Sequence, residues 1–351
     1  MPGSVASGAA GPLVSLIVPA YNEVDNAASL VGFVREIDAR YPDHRFELVL
    51  VDDGSTDGTA DAVTRALDDR GYAQVLVLSR NFGSHAAISA GLDAARGDAA
   101  LTLSADLQEP LDAIGRFLDE WHRGADVVWG LRSTRSVAKG PANLMSRLFS
   151  RWFYRWSDIP TYPREGPSQV LLSRRVMDPL RSMPERNRNA FGLIAWLGFR
   201  QTSIAFEQLP RPAGVSKWTT KKKIKLVLDS FVGFSSAPVR VVGAAGGIGL
   251  GLAGAVAIAA VATAVVTDGP VWGWALAAVV LAVGGIQLLF LSLLGEYLWR
   301  AGDDARGRPV YVVSQLSDIG QAPNPAAYTD RRRNGDRTYD RGHRAGTADG
   351  R

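Results

Sequence analysis

The chain has 351 residues, 46% hydrophobic and 21% charged, which suits one sizeable globular domain with an appendage and excludes a disordered protein. It has no cysteine, which excludes a disulfide framework, a thiolate nucleophile and a Cys-ligated metal, and its four dispersed histidines argue against a His-rich metal site. Of the net charge of +4, the tail from Asp330 to Arg351 supplies +3 (seven Arg against four Asp), so no nucleic-acid partner is expected.

Residues 1–12 have neither a basic start nor an apolar core. They read as a flexible N-terminus rather than a signal peptide. From there to about residue 130, apolar runs of strand length alternate with helical patterns. Strands are predicted at Val14–Val18, Phe46–Val51, Gln74–Ser79, Ala99–Leu103 and Asp126–Gly130, and helices near 24–40, 57–70, 83–95 and 110–123. Such alternation predicts an α/β fold with a doubly wound, mostly parallel sheet. Ligands of these sheets bind beyond the carboxyl ends of the strands. Polar clusters sit there: Pro19 to Glu23 after the first strand, Asp52 to Asp57 after the second, Ser104 to Gln108 after the fourth.

Beyond Arg132 the pattern changes. Lys139–Trp156 mixes Arg with Trp, Phe, Tyr and Leu, which fits either an interfacial helix or a core-facing one. Residues 219–238 read as a juxtamembrane amphipathic helix whose Lys cluster suits lipid phosphates. Residues 241–266 and 271–295 carry no charge. The first is long enough, at roughly 39 Å as a helix, to cross a hydrocarbon core, and the two predict a transmembrane hairpin over 239–299. Its connection, Thr267-Asp268-Gly269-Pro270, lacks Lys and Arg. The flanks carry Lys217, Lys221, Lys222, Lys223, Lys225 and Arg240 before it, and Arg300, Arg306 and Arg308 after it. By the positive-inside rule the first domain and both termini are expected in the cytoplasm, with the hairpin in the cell membrane. Gly243, Gly247 and Gly251 form a smooth stripe on which a second helix can pack. Residues 300–319 read as a cytoplasmic extension and 320–351 as a disordered tail.

Several motifs together resemble family 2 glycosyltransferases, specifically the polyprenyl-phosphate enzymes related to dolichol-phosphate mannose synthase. The matching residues are Pro19-Ala20-Tyr21-Asn22-Glu23, Asp52 to Thr59, Ser79 to Gly83 and Ala105-Asp106-Leu107-Gln108. Further along, Pro184 to Arg188, Trp196 to Phe199, Arg211 to Trp218 and Gly295 to Leu298 also match. The resemblance spans about residues 14–312 and implies a GT-A-type domain over 13–218. It implies an inverting transfer of a hexose from a nucleotide sugar, UDP-linked by preference with GDP-mannose open, to a polyprenyl phosphate such as undecaprenyl or decaprenyl phosphate. Membrane lipid is an implied partner, and a homo-oligomer is left open.

The resemblance also implies residue roles. Asp106 and Gln108 look like ligands of Mg²⁺ or Mn²⁺, and hard oxygen donors suit such ions. Pro19, Tyr21, Glu23, Asp52, Asp53, Ser104 and Ala105 match nucleotide-binding positions. An alternative role for Asp52 is to cap the following helix. Asp106, Arg132 and Ser168 match catalytic positions. Arg186, Arg188, Arg211, Ser216 and Lys217 are candidates for the acceptor phosphate, which the planar fork of Arg can grip bidentately.

Two positions depart from the pattern. Where relatives carry Asp, this chain has Ser104 in the metal loop and Ser168 in Pro167-Ser168-Gln169-Val170-Leu171. A serine cannot serve as a base near neutral pH. A phosphate acceptor, already ionised, hardly needs one. Three readings stay open: catalysis by metal and positioning alone, with Glu165 as a displaced carboxylate; a different acceptor in a specialised pathway; or an inactive relative that binds nucleotide or lipid.

Overall fold

The computed structural model describes residues 11–67, 72–132, 161–163, 166–183, 185, 189–209, 237–266 and 272–320. The run 139–156, the juxtamembrane stretch up to 236, Glu165 and the tail lie outside the described residues.

The described residues form one eight-stranded sheet. The first half alternates as expected: β1 (Leu13–Ala20), α1 (Ala27–Arg40), β2 (Arg45–Asp52), α2 (Thr59–Ala66), β3 (Tyr72–Leu78), α3 (Ser84–Ala94), β4 (Ala99–Thr102), α4 (Leu111–His122) and β5 (Val127–Arg132). There follow β6 (Gln169–Ser173), α5 (Arg174–Ser182), α6 (Ala190–Trp196) and β7 (Gln201–Phe206), then two long helices, α7 (Ala237–Val266) and α8 (Trp272–Ala305), and finally β8 (Val313–Ile319). The sheet order is β7-β5-β6-β4-β1-β2-β3-β8. The β1–β2, β2–β3, β1–β4 and β5–β7 pairs are parallel, whereas β6 runs antiparallel to β4 and β5, and β8 antiparallel to β3.

Successive strand residues point to opposite faces. Leu16, Leu48, Leu50 and Leu101 enter one core with Leu30, Ile37, Ile114 and Phe117 of α1 and α4. Ile17, Val49, Val51 and Ala100 enter the other, with Ile88 of α3, Met177 of α5 and Ile194 of α6. Each fully buried Leu or Ile contributes about 1.5–3 kcal/mol, so both faces need their helical layer. The uninterrupted apolar runs of β1 and β2 follow from this two-sided burial.

The structure differs from expectation in four places. The strand expected at Asp126–Gly130 starts one residue later and runs to Arg132, extended by its pairing with β7. The helix expected over 57–70 is α2 alone in the described residues, because Asp57 and Gly58 (φ 84°) belong to the preceding turn. A Cβ added at Gly243, Gly247 or Gly251 would meet nothing within 4 Å, whereas one at Gly246 or Gly249 would meet Ile286 of α8, so α8 packs over those two glycines instead. Finally, the extension 300–319 is not a simple appendage. Helix α8 continues to Ala305, and 313–319 returns to the sheet as its outermost strand.

Two stretches are long and apolar enough to cross a membrane, Val242–Ala260 and Ala282–Ala305, with mean hydropathies of 1.9 and 1.4. Glu296, Asp303 and Asp304 crowd the last turns of α8, so its uncharged part, 272–295, better matches a bilayer core.

Candidate active site

The loops after β1, β2 and β3 are pinned to one another by hydrogen bonds at the carboxyl end of the sheet, where the loop after β4 also lies. After β1, Asn22 adopts φ 55°, a left-handed conformation that Asn tolerates better than most residues. Its N–H donates to Ser55 Oγ at 2.8 Å, and its Oδ1 accepts from the N–H of Thr56 at 2.9 Å. The N–H of Glu23 donates to Thr59 Oγ1 at 2.8 Å, and that of Val24 to Asp57 at 3.2 Å. Glu23 in turn accepts from Asn26 Nδ2 at 2.7 Å.

The two acids ending β2 build this cradle. Asp52, 2% exposed, accepts from the N–H groups of Ser55 at 2.7 Å and Ala60 at 3.2 Å, so it holds the turn and the first turn of α2. Asp53, 4% exposed, accepts from the N–H groups of Phe82 at 2.7 Å and Gly83 at 2.8 Å, which fixes the loop after β3. Gly54, which follows Asp53, has φ 71°, and a Cβ there would sit 2.5 Å from the carbonyl carbon of Arg80. Only glycine lets the two loops close this far.

After β4, Ser104 to Leu107 forms a tight turn, with the N–H of Leu107 donating to the Ser104 carbonyl at 3.2 Å. Leu107 has φ 53°, an unusual value for a bulky residue and one that sets how Asp106 and Gln108 are presented. The backbone carbonyl of Gln108 accepts from the N–H of Leu209 at 2.9 Å, and its Nε2 donates to the Leu209 carbonyl at 3.4 Å.

Ser104 and Ser168 are joined through a third residue. The Ser104 hydroxyl donates into the carboxyl group of Glu109, 2.6 Å from Oε1 and 2.8 Å from Oε2. Gln169 Nε2 donates to the same carboxyl group, and Ser168 Oγ donates to Gln169 Oε1. Glu109 is fully buried, and burial pushes its carboxyl up to about 7. The hydrogen bonds from Ser104 oppose the rise, and the nearby Asp106 adds to it. Glu109 and Gln169 were missed by sequence reasoning. Their only signals were adjacency: Glu109 follows the metal-loop motif directly, and Gln169 follows Ser168.

Pro19, Tyr21, Glu23, Asp52, Asp53, Ser104, Ala105, Asp106, Gln108, Arg132 and Ser168 thus fall on one rim of the sheet. Arg132 closes β5, exposed at this end. Arg186, Arg188, Arg211, Ser216 and Lys217 lie outside the described residues.

The sequence matches the family model described as glycosyl transferase family 2 over residues 15–171. It is 34% identical over 312 residues to an uncharacterized glycosyltransferase of Synechocystis, covering 88% of this chain and 97% of that protein. The chain belongs to glycosyl transferase family 2. This glycosyltransferase is also 31% identical to a prophage-derived bactoprenol glucosyl transferase of Shigella flexneri, over 86% of its own length and 97% of the relative's. Among solved structures it is similar to a mannosyltransferase from Pyrobaculum calidifontis in complex with GDP-Man and Mn²⁺, with a TM-score of 0.43 and 17% identity over 82% of this chain and 88% of that one.

Proposed function

We propose that the chain is a membrane-anchored, inverting glycosyltransferase that moves a hexose from a nucleotide sugar, UDP-linked by preference, to a polyprenyl phosphate. One topological observation carries the reading. Strand β7, the last described before α7, ends at the carboxyl end of the sheet, and β8, the first after α8, begins there. The loops proposed to cradle the donor therefore share that end with the end of β7 and with the start of β8, which follows α8 closely in the chain. This supports a lipid acceptor delivered from the membrane surface, as does the likeness to bactoprenol glucosyl transferases over 86% of the chain.

The donor set suits a divalent cation. Among the described residues no group of three or more His, Asp or Glu could hold a metal alone. Mg²⁺ sites often use one or two carboxylates and take their other ligands from substrate phosphates and water. Asp106 and the side-chain carbonyl of Gln108 would fill the protein's share. A cation bound there would neutralise diphosphate charge as the sugar departs.

The chain's own residues supply binding and orientation. Asp52 and Asp53 hold the walls of the nucleotide cradle, while Pro19, Tyr21 and Glu23 line it. Arg132 would grip phosphate oxygens, and the family resemblance assigns Arg186, Arg188, Arg211, Ser216 and Lys217 to the acceptor phosphate. With neutral serines at 104 and 168, attack by an ionised lipid phosphate proceeds by positioning and charge stabilisation, without a base. The test is purified chain in nanodiscs with Mg²⁺ or Mn²⁺, undecaprenyl phosphate and a panel of labelled UDP- and GDP-sugars. A lipid-linked product with one donor, lost in Asp106→Ala, is expected. Folded protein that yields no product with any donor would overturn the reading.

A further inference from the structure

The hairpin's second attachment reaches a specific loop. Helix α8 ends at Ala305, and by Val312 the chain is hydrogen-bonded to the sheet, its carbonyl accepting from the N–H of Ser79 at 2.8 Å. Seven residues of chain reach about 25 Å at most. Ser79 opens the loop whose Phe82 and Gly83 N–H groups hold Asp53 and whose Arg80 backbone closes on Gly54. A continuous path therefore runs from α8 through Val312 and Ser79 to Asp53.

Two side-chain contacts fasten the strand at this end. The Tyr311 hydroxyl donates to Asp93 of α3 at 2.7 Å, and the Tyr311 ring packs against the core shared with α3. Ser314 Oγ donates to the Val77 carbonyl at 3.0 Å. The β3–β8 register shifts between Val77 and Leu78, so the ladder is irregular where the loop begins. At the far end Asp318 accepts from the Tyr72 hydroxyl at 3.1 Å and from Arg96 at 3.3 Å. Because β8 is mostly exposed, apolar burial contributes little to its hold, and the polar contacts carry it.

We infer that the start of β8 belongs to the donor site, with Tyr311 and Ser314 as positioning residues that fix the Ser79–Gly83 loop and link it to the membrane hairpin. The donor half of this inference rests on the function proposed above. Energetic coupling of this kind needs a contiguous physical network, and the hydrogen bonds from Val312 to Asp53 supply one.

The experiment uses the full chain in nanodiscs, with the double variant Tyr311→Phe/Ser314→Ala and the far-end variant Asp318→Ala. Two quantities are read: amide exchange at residues 79–83 without ligand, and UDP affinity by calorimetry. In the double variant, exchange at 79–83 should quicken and UDP affinity should fall about five- to tenfold, with the KM for undecaprenyl phosphate unchanged. Asp318→Ala should leave UDP affinity unchanged. Unaltered exchange at 79–83 in the double variant would overturn the link through the strand. Altered exchange with unaltered UDP affinity would overturn its part in the donor site. Failure of the wild-type chain to bind UDP or GDP would overturn the proposed function, and the donor half of this inference with it, while the exchange result still judges the link.

Discussion

The Ser104 hydroxyl lies 2.6 and 2.8 Å from the two carboxyl oxygens of Glu109, a group that also accepts from Gln169 and through it reaches Ser168. The two serines that depart from the family pattern therefore belong to one buried network. Removing its centre should be costly, because an orphaned buried donor bears a full desolvation penalty. Glu109→Ala strands both the Ser104 hydroxyl and the Gln169 amide, and a loss of about 2–4 kcal/mol in unfolding free energy is expected. Glu109→Gln keeps the shape and most of the bonding and should lose under about 1.5 kcal/mol. Urea titrations of both variants check the difference.

The same carboxyl group sets a pH dependence. Its ordinary value is 4.5, and burial, partly opposed by Ser104, pushes it up to about 7 in the folded chain. The folded state thus keeps a proton that the unfolded chain releases between these values. Its contribution to stability is present below 4.5, declines as pH rises, and is gone above about 7. The full loss amounts to about 3 kcal/mol. Denaturation of wild type and Glu109→Gln across this window, without divalent cation, should show a slope in the first that is missing in the second.

Ser104→Asp would set a second carboxylate beside Glu109. Two acids at this separation cannot both ionise cheaply, so one must keep its proton. At about pH 8 the variant should be less stable than wild type by about 1–3 kcal/mol. If Asp106 and Gln108 hold a divalent cation, saturating Mg²⁺ should restore more of this loss than the same ionic strength of Na⁺. Thermal melts in the two salts measure it.

Gly54→Ala tests the closure of the loops after β2 and β3, proposed to hold the donor. The substitution asks alanine to adopt φ 71° with its Cβ 2.5 Å from the Arg80 backbone, which cannot move as a side-chain tip can. The loss should be about 2–4 kcal/mol, and UDP affinity should fall with it. Ala at Gly58, which also has positive φ but meets nothing within 4 Å, should lose only about 1 kcal/mol.

The contrast between β1 and β8 explains what could be read beforehand. Strands β1 to β4 are buried on both faces and so appear as apolar runs, each ending in a polar loop, which brings the carboxyl-end rim into view from the sequence. Strand β8 has no fully buried residue, and Val313, Leu316 and Ile319 do not alternate with the period of a strand. Only pairing with β3 defines it. Strand β6 is five buried residues long, and the resemblance drew attention to the serine before it rather than to its strand character. Glu109 was hidden by its place, since an acid beside a helix start is ordinary. Asp52 carried two readings, and its bonds to Ser55 and Ala60 favour the structural one.

Substitution of Asp106 tests whether nucleotide binding depends on a cation held there. It sits beside Leu107, whose left-handed conformation orients the turn, and next but one to Gln108, whose backbone carbonyl accepts from Leu209 N–H. If Asp106 is the protein's one carboxylate ligand, Asp106→Ala should leave weak UDP binding in EDTA unchanged and abolish the gain that Mn²⁺ gives wild type. Turnover should fall about a hundredfold or more, which is ~2.7 kcal/mol of barrier. Asp106→Asn keeps an oxygen ligand without the charge and should fall between wild type and Ala. If Glu23, also on the rim, lines the proposed nucleotide cradle, Glu23→Gln should weaken UDP binding equally with and without Mn²⁺. Calorimetry with UDP in EDTA and in Mn²⁺ distinguishes the two patterns, and an equal Mn²⁺ gain in wild type and Asp106→Ala would remove Asp106 from the cation site.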